Sequence, residues 1–307
     1  MQTAIPKKTL ISIVGPTAIG KTNLAIGIAK HFGCEIISCD SRQFYKEMTI
    51  GTAVPSKEEL AEVKHHFIQN LSIHDNYSVG DFERDGLAFL NQYFKSNNIC
   101  VMVGGSGLYE KAITEGFDQF PDVDPKIREE LNQELNDYGI EMLQKELQLK
   151  DPNYFNEVDI HNKQRVIRAL EIIRGTGKMF SSFRNQKLTP RPFQIIKIGL
   201  ELPREEMYDR INRRVDIMVN EGLIEEVKAL EDVKHLNALQ TVGYRELFDF
   251  FDENITKEFA IEEIKKNTRR FAKRQMTWFK KDETIHWFSP FDIDPIIQHI
   301  NHKISSI

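Results

Sequence analysis

Along the first hundred residues, short apolar runs alternate with amphipathic ones. Thr9 to Val14, Glu35 to Cys39 and Ile99 to Val103 predict strands, and their near-continuous apolar character is that of a parallel sheet covered on both faces. Lys21 to Phe32 sets Leu24, Ile28, Ala29 and Phe32 on one helical face, with Gly33 suited to the C-cap. Gly80 to Lys95 predicts a further helix. Strand and helix signals in alternation predict βαβ units, hence an α/β fold built on a parallel sheet flanked by helices.

The pattern changes near Asp118. Asp122, Asp124, Asp137 and Asp151 accompany Pro121, Pro125 and Pro152, and helical periodicity replaces strand signals as far as Gln186. This predicts an inserted all-helical domain, 118–192, within a core domain made of 1–117 and 193–307. Thr189-Pro190-Arg191-Pro192 reads as a linker, because successive prolines favour extended backbone. Phe193 to Leu202 then predicts a strand returning to the sheet, followed by long helical patterns over Arg204 to Glu231 and Thr256 to Lys281.

Composition narrows the class. The 307 residues are 40% hydrophobic and 28% charged, as in a soluble globular protein. No apolar run reaches the roughly 18 residues that span a bilayer, and no signal-peptide core precedes the first strand, so no membrane partner and a cytoplasmic location are expected. The net charge of −5 gives no overall attraction to nucleic acid; any such contact must come from local basic faces. Cys34, Cys39 and Cys100 lie in or beside apolar runs without metal-ligand spacing and read as buried thiols. His65-His66 precedes a possible strand and His74 sits in a polar loop; with no carboxylate at metal-ligand spacing, none is assigned to a metal.

The strongest chemical signal is Gly15-Pro16-Thr17-Ala18-Ile19-Gly20-Lys21-Thr22, a G-x-x-x-x-G-K-T loop between a strand and a helix. Its backbone N–H groups form a nest for a diphosphate, aided by the helix dipole and Lys21. The Thr22 hydroxyl suits a Mg2+ ion bridging phosphate oxygens. Such a loop points to nucleotide or ATP binding unless its surroundings say otherwise.

Asp40-Ser41-Arg42-Gln43 follows the second strand, at the carboxyl edge where ligands bind in open α/β sheets. Asp40 could hold magnesium through water, act as a general base, or cap the next turn. Ser41 and Gln43 could be turn residues, or the Gln amide could meet a purine edge. Gly104-Gly105-Ser106-Gly107 forms a second glycine-rich turn, either a steric necessity or an anion contact, with Ser106 the side chain expected to face the crevice. Gln164 and Arg168 share one helix face opposite Val166, Leu170 and Ile173; that face is either solvated or laid against RNA.

Lys265, Lys266, Arg269, Arg270, Lys273, Arg274, Lys280 and Lys281 gather on one side of a helix, with Ile264, Phe271, Trp278 and Phe279 as the opposite stripe. This face is either solvated or contacts phosphates. Arg210, Arg213 and Arg214 form a smaller cluster, on the surface or pointing into the phosphate crevice.

Taken together, the chain resembles the tRNA dimethylallyltransferase (tRNA isopentenyltransferase) family over nearly its whole length. The resemblance rests on six ordered stretches: Gly15 to Thr22; Asp40-Ser41-Arg42-Gln43-Phe44-Tyr45 continuing through Ile50-Gly51-Thr52-Ala53; Val103 to Tyr109; Gln164 to Glu171; Val242-Gly243-Tyr244-Arg245; and Ala272-Lys273-Arg274-Gln275 with Trp278. Two departures are Ile19, where serine is usual, which sets a larger apolar side chain beside the diphosphate site, and a shorter loop before Gln164.

The resemblance implies a P-loop NTPase-like fold and transfer of a dimethylallyl group from dimethylallyl diphosphate to the exocyclic amine of an adenosine beside the tRNA anticodon, with pyrophosphate released. It implies that Gly15 to Thr22 bind the diphosphate, that Lys21, Arg214 and Mg2+ on Thr22 stabilise the leaving group, and that Asp40 accepts the amine proton. It further implies tRNA contacts by Asp40, Ser41, Arg42, Gln43, Ser106, Arg128, Gln164, Arg165, Val166, Ile167, Arg168, Gln240, Thr241, Val242, Gly243, Tyr244 and Arg245. The anticodon stem-loop is the expected partner, and nothing demands more than a monomer. A P-loop small-molecule kinase is the nearest alternative, though it leaves the basic helix and the insertion unexplained. A nucleotide-regulated RNA-binding switch is the non-enzymatic one.

Overall fold

The structure, a computed structural model, describes residues 8–184 and 189–306. In chain order its first elements are β1 (Thr9–Val14), α1 (Lys21–Phe32), β2 (Ile36–Ser38), α2 (Lys57–Glu62), β3 (His65–His66), α3 (Val79–Tyr93), β4 (Ile99–Gly104) and α4 (Gly107–Thr114). Four helices follow: α5 (Pro125–Tyr138), α6 (Ile140–Lys150), α7 (Pro152–Glu157) and α8 (Lys163–Thr176). The remainder comprises β5 (Gln194–Leu200), α9 (Arg204–Asn220), α10 (Leu223–Lys228), α11 (Arg245–Phe251), α12 (Lys257–Phe279), β6 (His286–Phe288) and α13 (Ile293–Ser305). Two compact units result, one of 1–115 with 191–307 and one of 116–190.

In the larger unit, six parallel strands run in the order β3-β2-β4-β1-β5-β6. Every residue of β1 is buried, because helices cover both faces of the sheet. Ile11 and Ile13 pack with α1, α9 and α13 through Ile28, Ile211 and Ile296. Leu10 and Met102 pack the other way, with Phe44, Phe82 and Ile113. A separate apolar cluster, which includes Met48, Val215, Leu223, Tyr244 and Ile264, holds α9 to α12 together. Cys34, Cys39 and Cys100 are buried and unbridged, and burial pushes their thiols above the ordinary value.

Three expectations shift. The helix expected over Arg204 to Glu231 breaks at Gly222, which at a φ of 104° is the N-cap of the separate helix α10. His65-His66 is itself the edge strand, not its prelude. Arg191, read as linker, is anchored instead: its guanidinium donates to the Ile113 carbonyl at 2.9 Å and pairs with Glu83 at 2.6 Å.

The smaller unit is all-helical. Leu131, Leu143, Leu147, Val166, Leu170 and Ile173 form its core. Pro125 and Pro152 each occupy the first helical position behind a capping aspartate, Asp124 and Asp151, where a missing N–H costs nothing. The last residues of the expected helical stretch, Asn185 and Gln186, lie outside the described residues. Among the described residues no helix is long and apolar enough to cross a membrane.

Candidate functional site

The ends of β1, β2 and β4 meet at one edge of the larger unit's sheet, and each continues into a loop that lines a cavity. After β1, Gly15 to Thr22 fold as a phosphate loop, so the unit is P-loop NTPase-like. Gly20, at φ 103°, is the N-cap of α1 and supplies no side-chain acceptor. The first N–H groups of α1 therefore face the cavity free for an anion. Ile19 corrects one expectation: its side chain is wholly buried in the core with Ile11 and Ile13, not beside the diphosphate site. The serine-to-isoleucine departure thus changes packing under the loop and leaves the backbone cradle intact.

Lys21 folds back over the loop, donating to the carbonyls of Gly15 at 3.1 Å and Pro16 at 2.7 Å. Burial lowers its pKa to about 8, with Asp40 pulling it up and Arg214 pushing it down. Thr22 is half-buried, and among the described residues its hydroxyl has no hydrogen-bond partner. From α9, Arg214 enters the same cavity; burial lowers its pKa, and nearby Asp40 opposes this. Arg210 donates to the Ala18 carbonyl at 3.0 Å. Arg213 is different, being paired with Asp209 at 2.6 Å on the exposed side of the helix.

Asp40 follows β2. A Cβ at Gly104, on neighbouring β4, would lie 2.5 Å from the Cys39 sulfur and 3.0 Å from the Asp40 nitrogen, so glycine lets the two strand ends close together. One Asp40 oxygen, Oδ1, accepts from the Arg42 N–H at 3.1 Å, which is the capping role. Its other oxygen makes no hydrogen bond among the described residues and is free for chemistry. Ser106 Oγ accepts from the Ser41 N–H at 3.1 Å and lies 3.1 Å from Ser41 Oγ, so the two glycine-rich turns brace each other.

Two large cavities open on this edge. The first, about 770 Å³, takes in Lys21, Thr22, Arg210 and a partly apolar wall with Ile50, Val54 and Met218. The second, about 510 Å³, takes in Ser41, Ser106, Arg245, Phe271, Arg274 and Trp278. Thr17, Asp40, Thr52, Arg214 and Met218 line both. Asp40 therefore stands between an anion-binding chamber and an aromatic one.

Other expected contacts turn out to be engaged within the protein. Gln43 donates to the carbonyls of Ala53 at 2.8 Å and Thr52 at 3.3 Å and accepts from Ser38 Oγ at 3.2 Å, so its amide supports the cavity wall. Arg42 donates to the carbonyls of Asn237 and Ala238 at 3.0 and 2.9 Å. Gln240 donates to the Lys234 carbonyl at 2.7 Å, and the Gly243 N–H donates to Glu246 at 2.8 Å. Thr241 and Val242 are half-buried beside the second cavity, and Arg245 is exposed at its rim.

Tyr244 is wholly buried, so its side chain offers nothing to an RNA. Its hydroxyl donates to Glu226 at 2.6 Å, and the same carboxylate accepts the N–H groups of Thr49, Ile50 and Gly51 at 3.0, 2.7 and 2.9 Å. Glu226 and Tyr244 thereby clamp the loop that carries Thr52 and Ala53. Sequence reasoning missed Glu226, whose partners Thr49, Ile50 and Gly51 lie 177, 176 and 175 residues away in the chain.

The basic helix α12 also differs from expectation. Phe271 and Trp278 are exposed and line the second cavity, whereas Ile264 and Phe279 are buried. Lys265 pairs with Asp216 at 2.8 Å, Lys266 with Glu263 and Lys280 with Glu201 at 2.6 Å. Arg269 bonds Asn212. Of the eight basic residues, Arg270, Lys273, Arg274 and Lys281 remain exposed without an ion pair among the described residues.

The helical unit brings Arg128 of α5 to the polar face of α8. Arg128 donates to Gln164 at 3.0 Å and to Glu171 at 3.1 Å, and Arg168 reaches Glu171 at 2.9 Å. Arg165 is exposed beside them. Val166 and Ile167 are wholly buried, which corrects their expected contact with RNA: they form the core that holds this face.

The family described as IPP transferase matches residues 43–282. The chain is 60% identical to the tRNA dimethylallyltransferase of Christiangramia forsetii over 97% of this chain and 99% of that protein. It is 56% identical to the tRNA dimethylallyltransferase of Flavobacterium psychrophilum, over 96% and 98% of the two chains. Among solved structures it resembles the full-length tRNA isopentenylpyrophosphate transferase of Bacillus halodurans, at 39% identity and a TM-score of 0.73 over 98% of each chain. It also resembles a eukaryotic dimethylallyltransferase acting on tRNA, at 26% identity and a TM-score of 0.79, over 97% of this chain and 80% of that one. With a family match over most of its length and near-full-length relatives this similar, the chain belongs to the IPP transferase family.

Proposed function

We propose that the protein transfers the dimethylallyl group of dimethylallyl diphosphate to the exocyclic amine of an adenosine beside the anticodon of tRNA, releasing pyrophosphate. The observation that carries this reading is the pair of cavities with Asp40 and Arg214 on their shared wall. A diphosphate on the phosphate loop and a base between Phe271 and Trp278 would bring an allylic carbon and an amine together at Asp40. The nitrogen lone pair attacks the allylic carbon, the carbon–oxygen bond breaks toward pyrophosphate, and the amine proton passes to Asp40. A positioned base contributes roughly 100-fold to 10,000-fold. Lys21, Arg214 and the loop N–H groups neutralise the charge that grows on the leaving group.

Mg2+ fits the donors only in the shared-site manner. Among the described residues no three carboxylate, histidine or cysteine groups cluster, but the unpartnered Thr22 hydroxyl and Asp40 line the diphosphate cavity. Thr22 would hold the ion, which supplies further charge neutralisation on the pyrophosphate. The adenosine must leave its stack to reach the cavity. Lys273, Arg274 and Arg245 receive the phosphates around it, and Arg128, Gln164, Arg165 and Arg168 form a second tRNA surface. One chain lines both cavities, which supports a monomeric enzyme, and tRNA as the substrate supports a cytoplasmic one. The curated relatives are named as dimethylallyltransferases, which favours this reading over a small-molecule kinase.

The test is incubation with unmodified tRNA and either dimethylallyl diphosphate or ATP, followed by mass analysis of nucleosides. Prenylated adenosine in the first mixture alone is the expected result. ADP formed with a small alcohol, and no prenylated nucleoside, would replace this reading with the kinase.

A further inference from the structure

We infer that Gln275 makes the phosphate loop selective for a diphosphate over a triphosphate. Gln275 lies on α12 and is buried, although its neighbours Lys273 and Arg274 are exposed. Its Oε1 accepts the Thr17 N–H at 2.9 Å, and its Nε2 donates to the Gly105 carbonyl at 2.8 Å. Only one orientation of the amide satisfies both partners, since one is a donor and the other an acceptor. A Cβ at Gly105 would stand 2.3 Å from Nε2, so this residue's lack of a side chain is what admits the amide.

The consequence lies in which loop N–H groups stay free. A diphosphate at the start of α1 uses the inner N–H groups of Gly20 to Thr22 together with Lys21. A third phosphoryl group would extend toward the outer limb of the loop, where Thr17 stands on the wall common to both cavities. With its N–H given to Gln275, Thr17 can meet an anion there only through its hydroxyl, one donor in place of two. An anion is therefore drawn less strongly onto the wall where the acceptor amine must arrive. The selectivity rests on the proposed use of the loop as a pyrophosphate holder.

Calorimetric titration of the full chain with inorganic pyrophosphate and with tripolyphosphate, in the presence of Mg2+, tests this. The wild type is expected to prefer pyrophosphate. Gln275→Met removes both hydrogen bonds at similar volume and frees the Thr17 N–H, so the preference should narrow about tenfold, the order of one hydrogen bond to a charged acceptor. Gly105→Ala, which displaces the amide from the other side, should narrow it likewise and serves if the Met variant fails to fold. A preference within twofold of wild type in a folded variant overturns the inference, as does a wild type that binds both polyphosphates equally. A wild type that binds neither polyphosphate would instead sink the diphosphate reading beneath it.

Discussion

Replacing Asp40 with asparagine separates its structural role from its chemical one. The Asn amide oxygen can still accept the Arg42 N–H, now held at 3.1 Å, so the turn after β2 should keep its shape. What disappears is the charged, unpaired oxygen on the wall between the cavities. Loss of a general base costs roughly 100-fold to 10,000-fold in rate, or about 3–5 kcal/mol of barrier at 1.36 kcal/mol per tenfold. Asp40 also raises the pKa of both Lys21 and Arg214 by its charge. Removing that charge takes away a repulsion on bound pyrophosphate while letting the Lys21 pKa fall below about 8. At pH 7, pyrophosphate affinity should therefore hold or tighten while single-turnover prenylation of an anticodon stem-loop collapses. A rate within tenfold of wild type would refute Asp40 as the base. Parallel losses of rate and pyrophosphate affinity would reduce it to a residue that shapes the loop.

Pyrophosphate affinity should decline as pH rises through about 8, because the free protein then loses the Lys21 proton that the anion requires. Titrations from pH 6 to 9.5 with wild type and Lys21→Arg check this; a decline of equal steepness in the arginine variant, which stays charged, would assign it elsewhere. The same lowered pKa leaves the unfolded chain binding one more proton between about 8 and the ordinary 10.5, so the Lys21 contribution to stability rises with pH across that window. Tyr244→Phe deletes one hydrogen bond to the Glu226 carboxylate, worth about 1.5–3 kcal/mol, and should appear in denaturant unfolding while tRNA affinity stays near wild type. Weakened tRNA binding at unchanged stability would put Tyr244 back at the RNA surface.

The phosphate loop could be read from sequence because its function is local: eight consecutive residues supply the nest, the lysine and the hydroxyl. β1 and α1 were equally legible, since the apolar run and the helical spacing of Leu24, Ile28 and Ala29 act over a few residues, and Thr9–Val14 and Lys21–Phe32 are found as expected. Asp40 was placed at the crevice by the rule that strand carboxyl ends face the ligand. Periodicity served less well on α12. It grouped Phe271 and Trp278 with the buried Ile264 and Phe279, because hydrophobicity alone does not tell a core residue from one that lines a cavity. It also counted Lys265, Lys266 and Lys280 as free charge, whereas acids on α9, on α12 itself and beyond β5 neutralise them.

By itself, then, the sequence determined the class of fold, the phosphate loop, the family and the aspartate at the strand edge that opens on the cavities, all carried by contiguous residues or fixed topological rules. Tertiary structure alone decided that Asp40 divides two chambers, that Ile19 packs beneath the loop, that Glu226 and Tyr244 hold a cavity wall, and that Gln275 takes the Thr17 N–H across 258 residues of chain. The reason is physical. A hydrogen bond or a buried contact depends on where side chains meet after the sheet has assembled, and no periodicity along the chain carries that distance.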